Sequence, residues 1–111
     1  MNVYDKAYEL AKAIKDSNEY TAYKTVMREI TLDEQAKRML DEFRGRQLGL
    51  QQKLMSGETP TDEEREQMEK LYEVLNINPL LRRMFDAERR IGVIVDDVNR
   101  IVMDPLKDMF E

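Results

Sequence analysis

The chain has 111 residues, 41% hydrophobic and 37% charged, with four Gly, three Pro, no Cys, His or Trp, and a formal net charge of -5; this is material for one modest domain. The composition excludes disulfides, thiolate nucleophiles, imidazole acid–base catalysis, Cys/His zinc sites and Cys-held iron–sulfur clusters. No run approaches the ~20 apolar residues of a membrane span and no basic-then-apolar leader is present, so a cytoplasmic protein is expected.

Over residues 3–16, Tyr4, Ala7, Tyr8, Ala11 and Ile14 recur at three-and-four spacing, which predicts a short amphipathic helix with Asn2 as its cap. Ser17-Asn18 supplies turn chemistry, and Tyr20, Tyr23, Met27 and Ile30 repeat the pattern in a second short helix. Thr31 with Glu34 fits a capping box that opens a long third helix to about Ser56. Its seam is Ala36, Leu40, Phe43, Gln47, Leu50 and Leu54, coiled-coil-like with one polar interruption.

Gly57 is expected to cap that helix, with Glu58-Thr59-Pro60 as the turn and Thr61 with Glu64 as a second capping box. The fourth helix presents Met68, Leu71, Tyr72 and Leu75. Asn78 as cap and Pro79 at the first helical position open the fifth, since proline has no N–H to leave unpaired there. It runs to about Met103, where Asp104-Pro105 interrupts it and leaves Leu106, Met109 and Phe110 as a short apolar tail.

Nothing in this order resembles a strand. The predicted fold is all-α, one domain over residues 1–111, a helical bundle with two long antiparallel helices plus shorter ones. The third and fifth helices, each ~24 residues or ~36 Å, exceed what a compact chain of this size needs. The fifth also has an apolar sector too wide for one facing helix: Met84, Ala87, Ile91, Ile94, Val95, Val98, Ile101 and Val102. Self-association as a homodimer or higher oligomer is the expected completion, with Ile91, Ile94, Val95, Val98, Ile101 and Val102 as the candidate interface.

Gly45 and Gly49, one turn apart and opposite the Phe43 to Leu54 seam, have two open readings: a close-approach surface for another helix, or tolerated exposed glycines. Gln47 and Glu88 interrupt the two long stripes, and antiparallel arms would bring them within about one turn of each other, a candidate register pair; the alternative is that Glu88 lies at the stripe's edge and reaches water.

Residues 1–56 hold ten Lys/Arg against nine Asp/Glu and residues 57–111 eight against fourteen, so the second half carries the acidic excess. Direct nucleic-acid binding is not expected of such a chain. Arg82, Arg83, Arg89 and Arg90 form a candidate basic patch, but Asp86 stands four residues from Arg82 and from Arg90, and Asp96 four from Arg100, spacings that favour a salt-bridged face. Glu63, Glu66, Glu69 and Glu73 read as a solvated face: helical di-metal sites need Glu-x-x-His elements, and calcium needs a twelve-residue loop with a central Gly. No catalytic residue, cofactor or metal is therefore expected. The methionines and the N-terminal tyrosines read as packing residues.

The order of elements resembles the YlbF/YmcA/YheA family of small helical proteins from Gram-positive bacteria, most nearly its YheA branch. The resemblance rests on the start Val3-Tyr4-Asp5-Lys6-Ala7-Tyr8-Glu9-Leu10, on Ala36-Lys37-Arg38-Met39-Leu40-Asp41-Glu42-Phe43-Arg44, on Gln47-Leu48-Gly49-Leu50-Gln51-Gln52-Lys53, and on the end Ile101-Val102-Met103-Asp104-Pro105-Leu106. It spans nearly the whole chain without a catalytic motif. The resemblance implies long antiparallel helices that associate into dimers or larger assemblies. It implies a regulatory or adaptor role rather than an enzymatic one, through protein partners, in competence, sporulation and biofilm development. A link to RNA processing through an endoribonuclease gives the alternative role, an RNA-processing-associated factor using the basic patch. Iron–sulfur clusters held by cysteines in some relatives' complexes have no ligands here.

Overall fold

The structure, a computed structural model, describes residues 2–110. Among them are five α-helices and no strand: α1 (Val3–Lys15), α2 (Asn18–Thr31), α3 (Glu34–Met55), α4 (Asp62–Ile77) and α5 (Pro79–Met103), followed by a 3-10 segment, Asp104–Met109, with Pro105 in its first turn. The all-α expectation holds.

Short polar side chains set most of the helix starts. Asn2 Oδ1 accepts the Tyr4 N–H at 2.8 Å to open α1. Ser17 Oγ accepts the Tyr20 N–H at 3.2 Å while its own O–H donates to the Ile14 carbonyl at 2.6 Å, joining the end of α1 to the start of α2. Thr61 and Glu64 form the reciprocal box expected of them, and Asn78 Oδ1 accepts the N–H groups of Leu80 and Leu81 at 3.0 and 3.3 Å. Gly57 follows the last turn of α3 with φ 85, a left-handed conformation that a side chain disfavours.

One cap is displaced from its expected position. Asp33, not Thr31, caps α3, accepting the Ala36 N–H at 3.0 Å. Thr31 remains inside α2, where its hydroxyl donates to the Met27 carbonyl at 2.9 Å. An aspartate offers a stronger acceptor to the unpaired N–H groups than a threonine that already bonds its own helix.

The described residues divide into two compact units, one of residues 26–85 and one of residues 2–25 and 86–110. In the unit of residues 26–85, α3 and α4 are the helices packed along each other. Periodicity alone assigns that place beside α3 to α5, but the short Gly57-centred turn folds α4 back onto α3 first. Its core is Val26, Ile30, Ala36, Leu40, Phe43, Leu75, Leu81 and Met84, all at most 8% exposed. Each larger side chain buried in this way contributes about 1.5–3 kcal/mol. Phe43, Tyr72 and Phe85 extend that core as an aromatic cluster with centroids 5.1 to 6.1 Å apart in tilted and edge-on pairs.

The unit of residues 2–25 and 86–110 is built differently. Its one buried hydrophobic side chain among the described residues is Ala87. α1 buries none of its residues, and Val3, Tyr4 and Tyr8 are 81%, 74% and 76% exposed. The helices of this unit are amphipathic without enclosing a core.

Candidate interaction surface

α5 carries its apolar sector from a covered end to an open one. Met84 and Ala87 are buried, Ile91, Ile94 and Val98 half-buried, and Val95, Ile101 and Val102 exposed. Along the last four turns the spacing Ile91, Ile94, Val98, Ile101 is that of a coiled-coil seam, and Val95 and Val102 widen it on one side. A sector of this kind is suited to more than one neighbouring helix. α1 presents a second sector, Val3, Tyr4, Ala7, Tyr8, Leu10 and Ala11, exposed throughout. Sequence periodicity marks the α1 stripe but gives no sign that it stays uncovered.

The arginines at the start and middle of α5 are engaged with carboxylates. Arg83 bonds Glu29 at 2.7 Å, and Asp86 takes both Arg89 and, at 3.2 Å, Arg90. Arg82 has no carboxylate partner among the described residues. Arg100 pairs with Asp97 at 3.2 Å, three residues away, rather than with Asp96. All four arginines of the candidate patch are exposed, and most of their charge is locally offset.

Gly45 and Gly49 are exposed, and a Cβ on either would meet no atom within 4 Å. The chain itself makes no close approach at either glycine. Gly49 lies instead on the lip of an open groove of about 340 Å³ between α3 and α4, floored by Leu50 and Met68 and edged by Arg46, Lys53, Glu64 and Gln67. Gln47 and Glu88 are both exposed and belong to different units, so neither carries the cost of a buried polar group in the single chain.

Lys53 and Glu64 form an ion pair at the edge of that groove, Nζ to Oε1 at 2.6 Å, with each side chain about one-third exposed. The hydrogen bond holds the Lys53 ammonium above its ordinary pKa and, together with the Thr61 N–H, holds the Glu64 carboxyl below its own. Sequence reading finds Glu64 as half of a capping box, while its second partner is eleven residues away and carries no local signal. Phe85 is likewise absent from every stripe and joins Phe43 and Tyr72 only in three dimensions. Among the described residues, no group of three or more carboxylates converges as a metal cradle, and no helix is long and apolar enough to cross a membrane.

Residues 3–107 match the family model described as control of competence regulator ComK, YlbF/YmcA. The chain belongs to the YlbF/YmcA family. Its relatives include a UPF0342 protein of Alkalihalophilus pseudofirmus, 44% identical over 98% of this chain and 92% of that protein. The UPF0342 protein YheA of Bacillus subtilis is 38% identical over 99% and 94%. Solved structures that share the fold include two bacillary proteins. A protein of unknown function from Bacillus stearothermophilus matches with a TM-score of 0.89, covering 98% of this chain and 96% of that one. Bacillus subtilis YheA matches with a TM-score of 0.74, covering 98% and 99%. Both are 28% identical over the structurally matched residues. The placement within the YlbF/YmcA family, on its YheA side, agrees with the resemblance read from the sequence.

Proposed function

We propose that this member of the YlbF/YmcA family is a non-catalytic cytoplasmic adaptor that self-associates and acts through protein–protein contacts. The observation that carries the reading is the open end of the α5 sector, where Val95, Ile101 and Val102 are 40%, 65% and 51% exposed on a helix whose opposite end buries Leu81 and Met84. An apolar stripe left in water at that width is an interaction surface by the usual economy of soluble proteins. The family's description as a control of ComK supports a regulatory setting for those contacts. The arms of α3 and α5 would complete one another between copies, with Gln47 and Glu88 as the register pair.

Association with RNA is the alternative, and the pairing of Arg83, Arg89 and Arg90 with Glu29 and Asp86 weighs against it. A tagged chain captured from a bacterial lysate, with and without RNase, separates the two. A stoichiometric protein partner that survives RNase and is lost from a Val98→Glu variant supports the adaptor. Partners lost on RNase treatment, or from an Arg82→Glu variant alone, overturn it. Recovery of nothing but the chain itself in both halves overturns the adaptor role and leaves self-association.

A further inference from the structure

The groove between α3 and α4 belongs wholly to the unit of residues 26–85. A second hollow, of about 490 Å³ and lined by Gln35, Arg38, Met39 and Glu42, opens on earlier turns of α3. The two share a line of α3 residues: Gln35, Met39, Glu42, Arg46, Gly49 and Lys53 follow steps of four, three, four, three and four. That is the spacing of a coiled-coil seam, and it runs one residue, about 100° of rotation, from the seam of Ala36 to Leu54. The seam at Ala36 carries the buried Leu40 and Phe43, whereas this one is exposed or half-buried at every position.

We propose that this second seam is the docking site for an amphipathic helix of a different protein, which sets a large apolar side chain on Leu50 and Met68 and carboxylates beside Arg38 and Arg46. The proposal goes beyond the self-association reading and does not rest on it. Gln47 is two residues, or about 200° around α3, from Gly49, and no α5 residue lines the groove.

Shape selects a helix. Both walls of the groove are helical and bond their own backbone. An extended segment laid between them would leave its N–H and C=O groups unpaired, whereas a helix satisfies its own. Gly49 has no side chain, and no atom lies within 4 Å of where its Cβ would stand, so a partner backbone comes close at that lip without a clash.

The floor selects an apolar anchor. Leu50 and Met68 are half-buried, as is Met39 on earlier turns of α3, and methionine adapts to side chains of varied shape. A cavity of ~150 Å³ holds a benzene ring, so a groove of about 340 Å³ takes about two large side chains. The Lys53 to Glu64 pair bridges the two walls near the turn, which leaves the seat beside Arg46 and Gln67.

Charge selects a partner that carries carboxylates. The α3 lining holds Arg38, Arg46 and Lys53 against Glu42 alone. Glu42 bonds Arg46 at 3.3 Å with both side chains about half exposed, a weak hold in water, and Arg38 has no carboxylate partner among the described residues. Arg38 and Arg46 stand eight residues apart, about 12 Å, so carboxylates two turns apart on a helix alongside meet both. Asp62, Glu66, Glu69 and Glu73 are turned about 100° or more from Met68 around α4, which leaves the α3 edge positive in a chain of net charge -5. The α4 of a second copy does not meet this description, because the face that bears its carboxylates has no large apolar side chain before Val74.

The test pans the full chain against a displayed library of alanine-based helical peptides randomised along one face, and records the methionine methyl signals of the chain as selected peptides are added. Enriched peptides are expected to carry a large apolar side chain flanked by Asp or Glu, and to shift the signals of Met68 and Met39 while Met109 stays unmoved. Arg46→Glu is expected to weaken their binding about tenfold and to select Lys or Arg at the same peptide positions. Gly49→Phe is expected to abolish binding while the helical circular dichroism signal persists, because a Cβ there meets open space. Enrichment of Lys- or Arg-rich peptides by the wild type would move docking to the acidic face of α4 and overturn the proposal. No enrichment, or binding that leaves Met68 unmoved, would overturn it as well. So would a change of oligomeric state in Gly49→Phe by sedimentation velocity, which would seat a second copy in the groove, or an oligoribonucleotide that shifts Met68 where no peptide does. None of these outcomes bears on the α5 sector, which Val98→Glu tests separately.

Discussion

Lys53 Nζ stands 2.6 Å from Glu64 Oε1, and the same carboxylate oxygen accepts the Thr61 N–H at 3.1 Å. One oxygen thus closes the capping box of α4 and ties that helix to the last turn of α3. The polar tie adjoins the turn that returns α4 onto α3, so the hairpin is held by a charged pair at its turn and by Phe43, Tyr72 and Leu75 further along.

The pH dependence of the hairpin follows from the two shifts. Glu64 is held below its ordinary value of 4.5, so its contribution is present above that value and is lost as pH falls through the lowered one. Lys53 is held above 10.5, so its contribution is present below that value and is lost as pH rises through the raised one. Thermal midpoints measured from acid to alkaline pH are expected to show the largest benefit of the pair between these limits. In Glu64→Gln the difference from wild type should shrink toward zero at the acid end. A constant difference down to pH 2 would show that the pair is not its source.

Asp33→Ala is expected to cost about 1 kcal/mol by removing the acceptor of the Ala36 N–H. Thr31→Ala, at the position the sequence motif favours, is expected to fall within about 0.5 kcal/mol of wild type, because its exposed hydroxyl only bonds back to Met27. Urea titrations of the two variants check this directly, and equal losses at both positions would restore Thr31 as the cap.

These two residues show how much of the fold local chemistry specifies. The caps at Asn2, Thr61 and Asn78 and the glycine at position 57 are legible because each acts within three residues of itself. At positions 31–34 two local signals compete, and the choice between them depends on where α2 stops. The seam of α3 shows the other boundary of legibility. Ala36, Leu40 and Phe43 are buried, Leu50 is half-buried and Leu54 is 61% exposed, yet all five obey one period. Periodicity identifies a face and not what covers it: the excess width of the α5 sector is legible in the sequence, but which positions of α3, α5 and α1 stay open is visible only in three dimensions.

The contrast between buried and open apolar positions in the α3–α4 hairpin has a direct energetic consequence. Leu75→Ala, at a side chain with no exposure, is expected to lose about 2–5 kcal/mol through lost transfer energy and the cavity left behind. Leu54→Ala is expected to change stability by less than about 0.5 kcal/mol at low protein concentration. Chemical denaturation at two protein concentrations reads both, and a loss at Leu54 that appears only at the higher concentration would place that residue in an assembly contact.

The glycines of α3 give the last test, because open space makes the sign of their substitution informative. A Cβ at Gly45 or Gly49 meets nothing within 4 Å, so Gly→Ala at either position should stabilise the single chain by up to about 1 kcal/mol through helix propensity. Gly57→Ala has equal room but a φ of 85, and is expected to destabilise through backbone strain. Stability and oligomeric state measured together separate the two readings of Gly45 and Gly49. A gain in stability with unchanged assembly identifies tolerated exposed glycines, whereas a gain in the monomer accompanied by weakened assembly identifies the surface where another helix approaches closely.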